Sequence, residues 1–204
     1  MTTAATFEDA VDDAIRALDI TRPSTFDENG VFDPTDWRVR ALDKSLRALV
    51  CNSFDADSDN PIWVSLMAED AFALLVHRRR VSTAQQLFEI SELIASKQAD
   101  YGPGNIEAFG HKGLVVRLSD KVERLKNLTA HGNEARNESI EDTLIDVIGY
   151  AVIWQMLVDD TFRLPLRSRV DEWFPDADDI AAERYDRERA IEKETRFFRG
   201  DDDR

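Results

Sequence analysis

Apolar residues recur along this chain at helical spacing rather than with the alternation of a strand. Phe7, Val11, Ile15 and Leu18 share one face of the segment from Thr6 to Leu18 and predict a short helix. A loop containing Pro and Gly follows, from Thr21 to Pro34. The pattern resumes over residues 36–50 with Trp37, Leu42, Leu46, Leu49 and Val50. Asn60 followed by Pro61 reads as an N-cap with Pro at the first helical position, opening a helix to about His77 through Trp63, Leu66, Met67, Phe72 and Leu75. Ser82 with Gln85 resembles a capping box for a helix through Leu87, Ile90, Leu93 and Ile94. Two more helices are predicted, over about 113–129 and about 137–158. No run alternates long enough to predict a strand, and no internal repeat is visible.

The expected fold class is therefore all-α. The elements divide the chain into an N-terminal helical extension packed on the core (residues 1–80), a helical core (81–160) and a charged C-terminal helix or tail (161–204). Beyond Asp176 the charge is dense, with Tyr185, Ile191, Phe197 and Phe198 as apolar anchors.

Composition narrows the classes of protein. Asp and Glu number 41 against 26 Lys and Arg, a formal charge of -15, while 43% of residues are hydrophobic. That apolar share is too high for a disordered acidic polymer. The uncharged apolar run from Val147 to Val158 is too short to span a bilayer. Residues 1–13 are acidic and lack the basic-then-apolar order of a secretory signal. The single cysteine, Cys51, permits no internal disulfide and reads as a small core residue. A cytoplasmic protein is expected, with no membrane contact. Direct DNA binding is not expected, because the long-range field repels polyanions.

The charge is uneven. Residues 1–60 hold 13 acids and 6 bases, a balance of -7. Residues 97–126 hold Lys97, Lys112, Arg117, Lys121, Arg124 and Lys126 against Asp100, Glu107, Asp120 and Glu123, a balance of +2. An anionic ligand would sit best there.

Three motifs carry candidate chemistry. Glu138, Asp142 and Asp146, at i, i+4 and i+8, form one slanted stripe if all lie on the last helix, and Tyr150 continues it. Their neighbours Ile140, Leu144, Ile145, Val147 and Ile148 are apolar, so buried carboxylates there need a cation: Lys, Arg, or a hard ion such as Mg²⁺ or Mn²⁺. The helix before it offers Asp120 and Glu123 as further oxygen donors and Lys121 and Arg124 as phosphate binders. Arg117 can pair with Asp120, and Asp120 with Arg124. An ordinary salt-bridged surface would have the same spacing. The third motif is Lys97-Gln-Ala-Asp100-Tyr101-Gly102 and the Gly-rich loop to Asn105, which gathers four of the chain's eight glycines by Gly113. Tyr101 can stack on a base, and Asp100 or Asn105 can hydrogen-bond a base edge or sugar hydroxyl. No Walker loop, Gly-x-Ser-x-Gly elbow or clustered histidines occur; His77, His111 and His131 are scattered.

Taken together, Lys97-x-x-Asp100-Tyr101-Gly102, Asn105, Arg117-x-x-Asp120-Lys121-x-x-Arg124-Leu125 and the Glu138-Asp142-Asp146-Tyr150 series resemble the nucleotide modification associated domain 1 family, which is common in bacteriophages. The resemblance covers roughly residues 87–157. The arrangement is also similar, more distantly, to the all-α MazG-like nucleoside triphosphate pyrophosphohydrolases, although the second acidic pair of those enzymes is irregular here. The resemblance implies a MazG-like bundle, with extra N-terminal helices and a charged C-terminal helix, acting in phage nucleotide metabolism or base modification. It implies a Mg²⁺ (or Mn²⁺) site at Asp120, Glu138, Asp142 and Asp146, with Glu123 taking a proton from the attacking water. Lys97, Lys121 and Arg124 would neutralise the leaving pyrophosphate of a (d)NTP. Asp100, Tyr101, Asn105, Arg117 and Tyr150 would hold the nucleotide, and a homodimer is the expected assembly. The alternative is a non-catalytic acidic protein, either a DNA-mimicking decoy or a nucleotide sensor.

Overall fold

The computed structural model describes residues 4–20, 35–52, 62–130 and 138–167. Among them are α1 (Phe7–Ala17), α2 (Thr35–Asn52), α3 (Ile62–Arg79), α4 (Thr83–Tyr101), the short α5 (Gly104–Glu107), α6 (Gly110–Ala130) and α7 (Ile140–Val158), and no strand. The all-α class is as expected. The chain divides into two compact units, Met1–Leu164 and Pro165–Arg204. The first holds all seven helices. Asn60, Pro61, His131, Trp173 and the anchors of the expected C-terminal helix lie outside the described residues.

Local signals set the helix ends. Thr6 caps α1 in a full capping box with Asp9, and Phe7, Ala10, Val11, Ala14 and Ile15 form its buried face. The Ser82 hydroxyl accepts the Gln85 amide at 3.2 Å, while the Gln85 side chain turns away to Glu89 at 3.0 Å. Gly102, at φ 63, stops α4 in a backbone conformation that few side-chain-bearing residues adopt. The expected Gly-rich loop is shorter than its composition suggested. Residues 104–107 coil into α5, and α6 begins at Gly110 rather than near Gly113.

Packing follows from which helices are apolar on one face and which on all. In α3 five consecutive residues, Ala71 to Leu75, are fully buried, so the helix needs neighbours on every side. It finds them chiefly in α2 and α7, while α7 also packs on α6 and α1, and α2 on α6. Trp154 and Phe72 are among the largest fully buried side chains. Truncating either to Ala should cost about 3–5 kcal/mol. Trp37, expected in the core, is 40% exposed with the Arg38 guanidinium over its ring at 4.1 Å. Cys51 is a second departure: near the end of α2 it faces solvent rather than the core.

Helix α4 is peripheral. It buries only Gln86, Ile90 and Ile94 along its length and leans mainly on α1. Hydrogen bonds tie it down, from the Ser91 hydroxyl to Asp12 at 2.9 Å and from Arg79 to Glu89 at 2.9 Å. Its C-terminal half therefore stands beside α7, leaving a cleft between them.

Candidate functional site

Between residues 143 and 156 of α7 every side chain is buried except a single stripe, Asp146, Gly149, Tyr150 and Ile153. That stripe faces a cavity of about 370 Å³. The volume falls within the ~300–1,000 Å³ of ordinary small-molecule sites. Lys97, Gln98 and Tyr101 from α4, Asn105 from α5 and Arg117 from α6 complete the polar part of its lining. The apolar part comes from Leu93 and Ile94 of α4, Ile106, Ile145, Phe7 of α1 and Phe162. Phe7 and Phe162 meet edge-on with centroids 5.9 Å apart. Exposure is graded: Tyr101 is 70% exposed at the mouth, whereas Phe7 is 0% and Phe162 3% exposed. The most deeply buried part of the lining, Phe7 and Phe162, is thus apolar, while Tyr101, the half-exposed Lys97 and Leu93, 36% exposed, form its more exposed part.

Asp146 joins two lysines in an ionic cluster beside the cavity. The two Asp146 oxygens accept separately, one from the Lys97 ammonium at 2.7 Å and one from that of Lys121 at 2.7 Å. Burial pushes the Asp146 carboxyl up, but hydrogen bonds from Lys121 and Lys97 outweigh it and hold the group below its ordinary value. Lys121 is desolvated too, which lowers its pKa, yet Asp146 and Glu138 together leave it raised. Arg117 lies with its guanidinium 5.9 Å from the Tyr150 ring centroid.

The acidic series does not form the stripe its spacing predicts. Helix α7 starts at Ile140, so Glu138 precedes it. The reason is local: Ser139 is the N-cap, its hydroxyl accepting the Asp142 amide at 3.0 Å while the Asp142 carboxylate accepts the Ser139 amide at 3.0 Å. These contacts occupy Asp142 in capping, and the Ser139 hydrogen bonds lower its pKa. Glu138 instead meets Lys121 at 3.2 Å, and the Arg124 guanidinium donates to the Glu138 carbonyl at 2.5 Å and to the Thr143 hydroxyl at 3.2 Å. Asp120 and Asp100 are exposed, and exposed Glu123 pairs with Lys126 at 2.6 Å.

Among the thirteen residues singled out in sequence, Lys97, Tyr101, Asn105, Arg117, Asp146 and Tyr150 therefore line one cavity, with Lys121 directly behind Asp146. Asp100, Asp120, Glu123, Arg124, Glu138 and Asp142 do not line it. Among the described residues no three acids, histidines or cysteines gather into a group able to hold a metal ion. The donor set read for Mg²⁺ does not come together in this arrangement: Asp146 is met by two lysines and Asp142 by its own helix end. Sequence reasoning also missed the apolar floor. Ile145, Gly149 and Ile153 repeat at i, i+4 and i+8 one position from the Asp146–Tyr150 stripe and were open to detection. Phe7 carries no local sign of its role.

Residues 97–157 match the model of the nucleotide modification associated domain 1 family. The segment runs from Lys97, in the last turns of α4, to the penultimate residue of α7, and it contains every polar side chain that lines the cavity. No curated protein and no solved structure matches the chain.

Proposed function

We propose that this chain binds a nucleotide in the cavity between α4, α6 and α7. The observation that carries the reading is the coincidence of that cavity with the matched domain: twelve of its sixteen lining residues lie within 97–157. The chemistry of the lining supports it. The apolar floor accepts a base, Gln98 and Asn105 supply amide donors and acceptors, and Tyr101 and Tyr150 offer aromatic faces. Lys97 and Arg117 in the lining attract phosphate in a protein whose overall charge of -15 would otherwise repel it. Lys121, one turn beyond Arg117, comes within reach if a phosphate oxygen replaces an Asp146 oxygen on it.

Magnesium-dependent hydrolysis of a (d)NTP is a narrower form of this reading. Asp120, Glu123, Glu138 and Asp142 do not gather with Asp146 into a group able to hold a metal ion among the described residues, so no step is assigned to an ion. Titration calorimetry with the (d)NTPs, with and without Mg²⁺, tests binding, and liberated pyrophosphate tests turnover. Saturable binding of at least one nucleotide, weakened by Lys97→Ala, is expected. Failure of all of them to bind would remove the proposal. Sedimentation at increasing concentration tests the homodimer, which remains part of the proposal.

A further inference from the structure

Helix α7 contains one glycine, Gly149, in its middle and on the cavity face. Glycine in a helix interior costs stability relative to alanine, because the unfolded chain loses more freedom on folding. Its presence usually has a steric reason, yet none arises from the protein itself. A Cβ built at Gly149 meets one neighbour, the Cγ1 of Ile94, at 3.8 Å, an ordinary van der Waals contact. The backbone there is ordinary helix, so no left-handed conformation demands glycine. Alanine would fit the protein and stabilise the helix. What alanine would take away is space in the cavity.

The surroundings of this position indicate what the space is for. Ile145 and Ile153 stand one turn to either side on the same face, so Gly149 is a notch between two branched side chains. Phe7, Phe162 and Ile94 line the same cavity and are buried. Of the charged lining groups Lys97 is half exposed, whereas Asp146 is shielded. An apolar notch at the floor suits the flat, uncharged part of a ligand, and it does not suit phosphate. We infer that Gly149 is a specificity-determining residue that seats the nucleobase, so the nucleotide enters base first with its phosphates at the rim. The inference rests on the nucleotide reading above and adds the ligand's orientation and the residue that fixes it.

The test uses the full chain as wild type, Gly149→Ala and Gly149→Leu. Each is titrated calorimetrically with the four dNTPs and with inorganic tripolyphosphate, and its Tm is recorded as a check on folding. One methyl placed against a bound base should weaken the preferred dNTP roughly tenfold in Gly149→Ala, with the Tm raised. Gly149→Leu should abolish dNTP binding. Tripolyphosphate, which has no base, should bind all three proteins alike or none of them. Undiminished dNTP affinity in a folded Gly149→Leu would overturn the inference and leave the nucleotide reading standing. A parallel fall in dNTP and tripolyphosphate affinity would overturn it too, because the residue would then serve the pocket as a whole. If wild type binds no dNTP, the nucleotide reading fails first and the orientation fails with it.

Discussion

Asp70, on α3, and Asp146, on α7, are shielded from water to nearly the same degree, with side chains 15% and 14% exposed. Their carboxyls nevertheless shift in opposite directions. Burial dominates at Asp70, where a single guanidinium, that of Arg38 at 2.5 Å, only partly offsets it and the pKa is raised. At Asp146 burial acts the same way, but two lysines each contribute a short ionic hydrogen bond and the pKa is lowered. The cations differ as much as the acids. Arg38 is 3% exposed, closed between α2 and α3, whereas Lys97 is 50% exposed at the rim of a cavity. One cluster is a matched pair sealed into a helix interface. In the other, Lys97 and Lys121 share Asp146 while Lys121 also meets Glu138, and the half-exposed Lys97 is open to whatever enters. A structural ion pair and a ligand site thus differ less in the burial of the acid than in access to its cations.

Breaking the sealed pair should give the largest change. Asp70→Ala strands the Arg38 guanidinium without its acid, and about 3–5 kcal/mol of stability should be lost in urea unfolding. Nucleotide affinity should hardly move, since no residue of that pair lines the cavity. The rim should show the converse. Lys97→Ala removes a half-exposed cation, so stability should change by about 1 kcal/mol or less. Affinity for a nucleotide should fall roughly 10- to 100-fold, the usual range for a charge-assisted hydrogen bond.

Acidity separates the two clusters by sign. The folded state holds the Asp70 proton more tightly than the unfolded chain does. Its contribution therefore favours the fold at acidic pH and declines as the pH rises from about 4 through the raised value. The Asp146 contribution is present above about 4 and disappears as the pH falls through its depressed value. Carboxyl NMR titration should show Asp70 protonating before Asp146 on acidification. The reverse order would dissolve the contrast. The smallest effect belongs to the start of α7: Ser139→Ala should cost about 1 kcal/mol through loss of the cap. It should leave nucleotide affinity unchanged if Asp142 acts only at the helix end. A large loss of affinity would return Asp142 to the site.

The helices were legible because their signals are local. Ser82 caps where its spacing predicts, and the apolar period of α1 and α3 needs no knowledge of the partner helix. Half of the site was legible for a similar reason, since Lys97, Tyr101, Arg117, Asp146 and Tyr150 stand out as polar residues on apolar helices. Asp142 misled because one carboxylate can serve equally as a ligand or as the reciprocal half of a capping box, and periodicity does not separate the two. Glu138 misled through a three-residue difference in where α7 begins. Phe7 was out of reach, because its place at the cavity floor depends on how α1 crosses α7. Gly149 was passed over because an absent side chain has meaning only once the space beside it is seen.

The central claim, that the cavity is the nucleotide's seat, is tested most directly by methyl NMR of the isoleucines during a dNTP titration. Ile94, Ile145 and Ile153 line the cavity, whereas Ile148 is fully buried on another face of α7. The account predicts saturable shifts at the first three with Ile148 nearly still. Saturable binding that leaves those three methyls unmoved would contradict it.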